Sequence, residues 1–474
     1  METVSGGQWC PRYFFQIIQR IEIKPLKNGS NRFTLRSMRI LLLILPVTLL
    51  LFSSVLGQEA PDESLAEEAE ALAEGATLFP IPDYRSDILT RDALTGDWDG
   101  LRTSLAKDNG LQFSVDVNQF YQGVWDGGTS NRAYYNGSAY YGIKLDTGQA
   151  GLWPGGFLNI RGETYWGESV NAYTGAVLAA NVNQAFNEPA GNGTYLPHIT
   201  YTQFFSEKFA IFLGKLNGTL GDSNSFAHGA GDQRFMNLGF SLNPVGLATA
   251  PYAPLGAGFV FVPFEGLTYS FAWMDTDGKI DESGFDTIFN GNSTFSNEIN
   301  ITTGFFEQPG HHTFGYLFST KEFNSVNQDP RIFLPPGSGI PNTVDGSWAF
   351  IYNFDQFLVS DPNDSEKGWG PFGRFGISDG DANLLHSFYS IGLGGTGIIP
   401  GRERDRFGLG YFYLKLSENR VGIATDDSEQ GVEVFYNLAV TPAFEVTADL
   451  QIIDGAVRAS DTAVVGGLRG RIRF

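Results

Sequence analysis

The feature that most restricts this chain is a period of two running through its last residues. From Asp461 to Phe474 the sequence reads D-T-A-V-V-G-G-L-R-G-R-I-R-F. Val464, Gly466, Leu468, Gly470, Ile472 and Phe474 fall on one side, and Val465, Gly467, Arg469, Arg471 and Arg473 on the other. Side chains that alternate between two faces define a strand. A half-buried strand in a soluble sheet would hide its apolar face and leave the arginines in bulk water. In an outer-membrane barrel the apolar face meets lipid and the arginines face a polar lumen. On that reading the terminal Phe474 serves as the signal for barrel-assembly machinery.

The same period recurs upstream and favours the barrel. Leu111, Phe113, Val115 and Val117 alternate with Gln112, Ser114, Asp116 and Asn118. Ala139 to Asp146, Leu158 to Glu163, Trp348 to Asp355, Phe407 to Tyr413 and Phe444 to Ile452 do likewise. Phe407, Leu409, Tyr411 and Tyr413 stand opposite the small or aromatic positions Gly408, Gly410 and Phe412. Further candidates lie near 197–206, 208–216, 257–263, 267–276, 296–307, 311–320, 370–378, 386–396 and 430–440. The total is about 16 strands, the even number and size of a porin-like barrel. Gly127-Gly128, Pro335-Pro336-Gly337 and Asp361-Pro362-Asn363 read as turns between them. Tyr134-Tyr135, Phe204-Phe205 and Phe305-Phe306 read as interfacial girdles at strand ends.

Bulk composition agrees. Aromatic residues make up 14% of the chain and charged residues only 18%, which suits alternation better than a helical enzyme. A net charge of -21 excludes nucleic acid as a partner, because phosphate binding needs a basic surface. One long apolar stretch exists, Ile40 to Leu51, preceded by Arg36 and Arg39 and followed by Val55-Leu56-Gly57. It is too short to span a membrane as a helix and reads as a secretory signal peptide. Met38 sits where such a peptide would begin, so residues 1–37 read as an upstream extension. The only cysteine, Cys10, precedes the signal, so cysteine chemistry is excluded from the exported chain. A membrane protein with no other helix-length apolar segment must cross as a barrel.

Three regions follow: 1–57, extension and signal peptide; 58–93, an acidic helical and linker segment; and 94–474, the barrel. The helix formers lie at 62–75 and are expected to form a short solvated periplasmic helix. Thr95 to Ala106 reads as a capped amphipathic helix with Trp98, Leu101 and Leu105 on one face, ended by Gly110. The expected fold class is therefore all-β, a transmembrane antiparallel barrel with a short helical N-terminal segment.

Several stretches together resemble the carbohydrate-selective porins of the OprB family. Leu94-Thr95-Gly96-Asp97-Trp98-Asp99-Gly100-Leu101-Arg102 with Leu105-Ala106 is similar to the family's opening motif. Gly214-Lys215-Leu216-Asn217, Ser225-Phe226-Ala227 and Phe235-Met236-Asn237 agree with it, as do Arg374 to Asn383 and Gly394 to Tyr411. The last group is Glu433-Val434-Phe435-Tyr436-Asn437, Thr441-Pro442, Asp449 to Ile453 and Gly467-Leu468-Arg469. The resemblance implies a 16-stranded outer-membrane barrel that passes small saccharides by diffusion. It matches region 276–345 least, so the pore constriction there stays unassigned.

By alternation, the lumen candidates are Asp116, Asn118, Lys144, Arg161, Glu163, Arg374, Glu433, Asp449, Arg469, Arg471 and Arg473. Arginines facing carboxylates would set up a transverse field across a constriction. The plainer reading is that these charges pair with one another and hold the wall in shape. No cofactor is expected. Asp275 to Asp281 lacks the register of a calcium loop and reads as an acidic turn. His311 and His312 are adjacent, so on a strand they point to opposite faces and cannot share a metal. No hydrolase motif is present, and an enzyme is not expected. The expected partners are small saccharides, outer-membrane lipid and the assembly machinery, and a homo-oligomer would suit the class. The competing readings are a structural or adhesive barrel with a closed lumen and a non-selective general porin.

Overall fold

A computed structural model of the protein describes residues 79–185, 191–219, 222–288, 290–330, 339–361, 364–421, 425–458 and 460–474. The signal peptide, the acidic helix at 62–75 and the Pro335-Pro336-Gly337 turn lie outside these described residues.

Antiparallel strands follow one another around a closed sheet. They are β1 (Leu111–Gly128), β2 (Ala133–Asp146), β3 (Gly156–Gly167), β4 (Gly193–Ser206), β5 (Phe209–Lys215) and β6 (Leu255–Phe264). Next come β7 (Leu267–Met274), β8 (Thr294–Thr303), β9 (Gly310–Asn324), β10 (Thr343–Gln356) and β11 (Val359–Asp361). The last are β12 (Asp364–Ser378), β13 (Leu385–Thr396), β14 (Arg406–Leu416), β15 (Ser428–Thr441), β16 (Phe444–Asp454) and β17 (Asp461–Arg473). Both β10 and the three-residue β11 pair with β12, so β11 continues β10 and the barrel has 16 staves. β1 closes on β17, with Asp116 opposite Arg473 and Phe120 opposite Arg469. Closure leaves no sheet edge, the condition for a β-structure in lipid.

Each expected strand is found, because lipid outside and polar matter inside impose the alternation residue by residue. On β15, Val432, Val434, Tyr436 and Leu438 are exposed, while Glu433, Phe435 and Asn437 are buried. On β17, Leu468 is exposed and Arg469 and Arg471 are buried. The strand ends differ from the sequence reading. Gly127 and Gly128 close β1 instead of forming a separate turn, with register shifts and positive φ at both glycines. Tyr135, Phe204, Phe205, Phe305 and Phe306 are exposed as a girdle requires, but Tyr134 turns inward and stacks on Tyr173 at 4.3 Å.

Connections are long at one end of the barrel (168–192, 216–254, 275–293, 325–342) and short at the other (207–208, 265–266, 442–443). The start of β1 and the end of β17 lie at the short end, which is therefore the periplasmic one. Beneath it lies α1 (Leu101–Asn109), ended by Gly110 in the left-handed region. The helix is shorter than expected and its packed face is different. Arg102, Thr103 and Ala106 are buried, while Trp98 and Leu101 stay exposed. The reason is Arg102, whose guanidinium donates to the carbonyls of Gly96, Phe113 and Phe474 and so turns that face toward the rim.

Candidate functional site: the interior of the barrel

Two of the long connections fold back into the barrel, and they decide what the interior can do. Segment 216–254 leaves β5, crosses to the far wall and returns to β6. Its stem is closed by the amides of Leu216 and Gly218, which donate to the carbonyls of Pro254 and Tyr252 at 2.8 and 3.0 Å. Within it α2 (Leu238–Ser241) and α3 (Pro244–Thr249) start at Asn237 and Asn243, whose side chains accept the first amides of each turn. Segment 168–192 runs alongside: the Val182 amide donates to the Met236 carbonyl at 2.7 Å, and that of Leu238 to Ala179 at 2.9 Å.

Buried carboxylates on the wall bind the backbone of these segments. Glu433 accepts the amides of Met236 and Asn237 at 2.6 and 2.9 Å. Glu429 accepts those of Val177 and Leu178 at 2.5 and 2.9 Å. Asp355 takes both the amide and the hydroxyl of Ser225 at 3.0 Å. Arg374 acts in the opposite sense. It is wholly buried, grips Asp222 with two bonds of 3.0 and 2.9 Å, and donates to the carbonyls of Phe240 and Ala227. Arg469 donates to the carbonyls of Gly231 and Arg234 at 2.8 and 2.9 Å and to Thr447 at 2.7 Å.

Between these polar anchors the segments bury aromatic rings against the wall. Phe235 lies 4.7 Å from Phe240, 4.8 Å from Phe435 and 5.3 Å from Phe372, and Phe226 lies 4.6 Å from Phe357. A side chain at Gly408 or Gly410 would collide with Phe235 or Phe240. These glycines supply the space that the rings fill. The β10–β17 side of the lumen is thus packed with a continuous apolar core of Phe226, Phe235, Phe240, Phe372, Phe388, Phe412 and Leu414.

This packing sorts the residues expected to line the lumen. All point inward, as alternation requires. Arg374, Glu433 and Arg469 are buried behind segment 216–254 and hold it in place, while Asp449 is buried on the same wall and accepts from Gln451 at 2.9 Å. Arg471 is buried too, 2.9 Å from Asp116 and 3.8 Å from Asp232. Asn118 is buried and donates to Ser138. Glu163 is buried as a hub, accepting from Arg161 and Tyr165 at 2.6 Å and from Asn217 and Tyr252 at 3.3 Å. The remaining candidates reach solvent. Lys144 is exposed, and Arg161, Asp116 and Arg473 keep 23%, 20% and 29% of their side-chain surface.

Arg161 is the best-defined of these. Its guanidinium lies 3.8 Å above the Tyr140 ring, and its Nε is held by Glu163. Stacking and a charged bond fix its plane while both terminal nitrogens keep their donor capacity. Polar side chains that sequence reasoning did not single out stand beside it on β3 and β4, and farther round the inner wall on β8. Asn159 and Thr200 lie 3.2 and 2.8 Å from the His198 ring, and Glu298 accepts from Asn300 at 2.8 Å. Their alternation is weaker, so they gave no separate signal. Nor did the sequence point to segment 216–254 as the one that enters the lumen. His311 and His312 do part as expected: His311 meets Asp355 at 2.9 Å inside, and His312 meets Tyr352 at 2.8 Å on the other face.

A closed barrel of 16 staves with an inward-folded connection and charges on its inner wall is an outer-membrane porin by architecture. Comparison with known proteins makes this specific. The chain belongs to the carbohydrate-selective porin OprB family, which it matches over residues 130–474. It is 24% identical to Porin B of Pseudomonas aeruginosa over 186 residues, 34% of this chain and 40% of that protein. The alignment thus spans about two fifths of that relative's length. Its fold is similar to Pseudomonas putida OprB at high pH, with a TM-score of 0.71 at 18% identity over 82% of this chain and 100% of that one. For the same protein at low pH the TM-score is 0.52 at 15% identity, over 81% and 99% of the two chains. The protein is therefore an outer-membrane porin by family and fold.

Proposed function

We propose that the protein lets small saccharides diffuse passively across the outer membrane along the polar wall of its lumen. The observation that carries this reading is the division of the interior. An apolar core fills the β10–β17 side, which confines passage to a wall where Lys144, Arg161, Asp116 and Arg473 meet water beside neutral hydrogen-bonding groups. A neutral polyol loses hydration on entering a narrow lumen, and a wall of fixed donors and acceptors offsets that loss. Arg161, held flat by Tyr140 and Glu163, presents a planar pair of donors suited to vicinal hydroxyls. Glu163, Arg374, Glu433, Asp449, Arg469 and Arg471 act by positioning. They hold the inward segments and the accessible charges. Saccharides are the partners in this reading, with lipid around the barrel and assembly machinery acting on the strand that ends at Phe474.

The test is single-channel conductance of purified protein in a planar bilayer, titrated with mono- and disaccharides. Channels whose current falls with particular sugars support the proposal and rank its substrates. Stable insertion without conductance refutes it in favour of a closed structural barrel. Conductance indifferent to every sugar refutes selectivity and leaves a general porin.

A further inference from the structure

The periplasmic mouth carries a second cavity, built by the stretch of chain before the barrel. Phe79 reaches inside the rim, where its carbonyl accepts from Gln112 at 3.2 Å. Its ring meets Phe157 edge-on at 5.3 Å, with the Lys144 ammonium 5.0 Å from its centre. The chain then passes along the rim and is fastened at three points. The Leu94 amide donates to the Arg473 carbonyl at 2.8 Å, Arg404 pairs with Asp92 at 3.3 Å, and Arg102 bonds the carbonyls of Phe113 and Phe474 while stacking at 3.9 Å on Tyr84. Residues 79–102 thus form a strap tied to both strands of the closing seam.

Between strap and seam lies a cavity of about 440 Å³, lined among others by Pro80, Ile81, Pro82, Ser114, Asp116 and Arg473. We propose that this cavity is a second saccharide subsite, at the periplasmic exit of the channel. The inference rests on the saccharide reading above and adds a place where the sugar pauses before release. Its volume falls in the range of small-molecule sites. The chemistry fits a neutral polyol better than an ion. The charged side chains of the lining are balanced, with Asp92 and Asp116 set against Arg102 and Arg473. Asp116 accepts a bond from Arg471 on Oδ1 at 2.9 Å, and Arg473 approaches the same oxygen at 3.8 Å, so Oδ2 keeps its capacity to accept from sugar hydroxyls. Two prolines and an isoleucine provide an apolar flank for the C–H face of a pyranose ring. Ser114 and Asp116 lie on the inner face of β1, opposite Gly142 and Tyr140 of β2, so the cavity stands beside the wall that carries Lys144 and Arg161.

The experiment compares glucose and maltose added to one side of the bilayer at a time, in channels of known orientation. It uses the full chain, the Asp116→Asn variant and an I81N/P82G double variant that removes the apolar flank. Loss of one charge-assisted hydrogen bond weakens binding about tenfold. The half-blocking concentration from the periplasmic side should rise by about that factor in Asp116→Asn, and it should also rise in I81N/P82G, where block from the extracellular side stays within about twofold. Periplasmic-side block unchanged in both variants overturns the subsite and leaves the porin reading intact. Absence of block from either side in the wild type overturns both. The double variant leaves every barrel strand untouched, so a failure of Asp116→Asn to assemble would not remove the test.

Discussion

Replacement of Arg374 by methionine tests the claim that a single buried guanidinium holds the inward segment. The side chain is fully buried on β12 and supplies two bonds to Asp222 and two to the carbonyls of Phe240 and Ala227. Methionine keeps much of the volume and removes all four. Breaking a buried ion pair from one side costs about 3–5 kcal/mol. Asp222 retains some exposure and can recover water, which places the loss near the low end, about 3 kcal/mol. The sixteen-stave barrel contributes nothing to this loss, because the strand pairing of β12 with β10 and β13 is backbone only. The cost therefore falls on docking of segment 216–254, and about 3 kcal/mol corresponds to more than a hundredfold shift toward the undocked state. The expected result is normal insertion, higher and noisier single-channel conductance, and new protease cleavage within 216–254. Asp222→Asn should show a smaller loss, and the double variant should cost less than the sum of the two, since the pair acts as a unit. Arg374→Met channels with wild-type conductance, noise and protease resistance would refute the docking argument.

Further expectations are as follows. Arg161→Gln should raise the half-blocking sugar concentration by about tenfold in bilayer titrations, because the charge-assisted donors are lost. Tyr140→Leu should give part of that loss by releasing the guanidinium plane. Gly408→Val should destabilise docking by about 1–3 kcal/mol, read as conductance noise like that of Arg374→Met, because the added methyls meet Phe235 and Phe435. In the periplasmic turn before β14, burial would raise the Asp405 carboxyl, but bonds from Arg402, Tyr436 and the Ala439 amide outweigh it and hold it below the ordinary carboxylate value. A carboxyl depressed in the folded state stabilises above its unfolded value, near about 4, and loses that contribution as pH falls toward its folded value. Thermal stability in detergent should therefore fall between about pH 5 and pH 3, and Asp405→Asn should be less stable at neutral pH with a flatter dependence.

The barrel was legible in the sequence because lipid and lumen act on every strand residue in turn. Leu468 out and Arg469 in, or Val434 out and Phe435 in, follow from a local rule that needs no knowledge of the partner strand. For the same reason β5 and β7, with weaker alternation, could still be found. The stretches that carried the family resemblance mark the docking of the inward segment from both sides. Phe235-Met236-Asn237 rests on Glu433, Ser225 on Asp355, and Arg374 on Asp222. The pairing itself was invisible, since these partners lie far apart in the chain.

By itself, then, the sequence determined the alternation, the number of staves and which charges point inward. Tertiary structure alone decided which of those charges meet water. Arg469 and Arg473 stand four residues apart on one face of β17, yet Arg469 is sealed under the Gly231 and Arg234 carbonyls while Arg473 opens to the periplasmic mouth. Alternation is a property of a strand and its two solvents. Exposure within a lumen depends on where a connection from the other side of the barrel comes to rest, and that is set by the Phe235 cluster and its anchors as a whole.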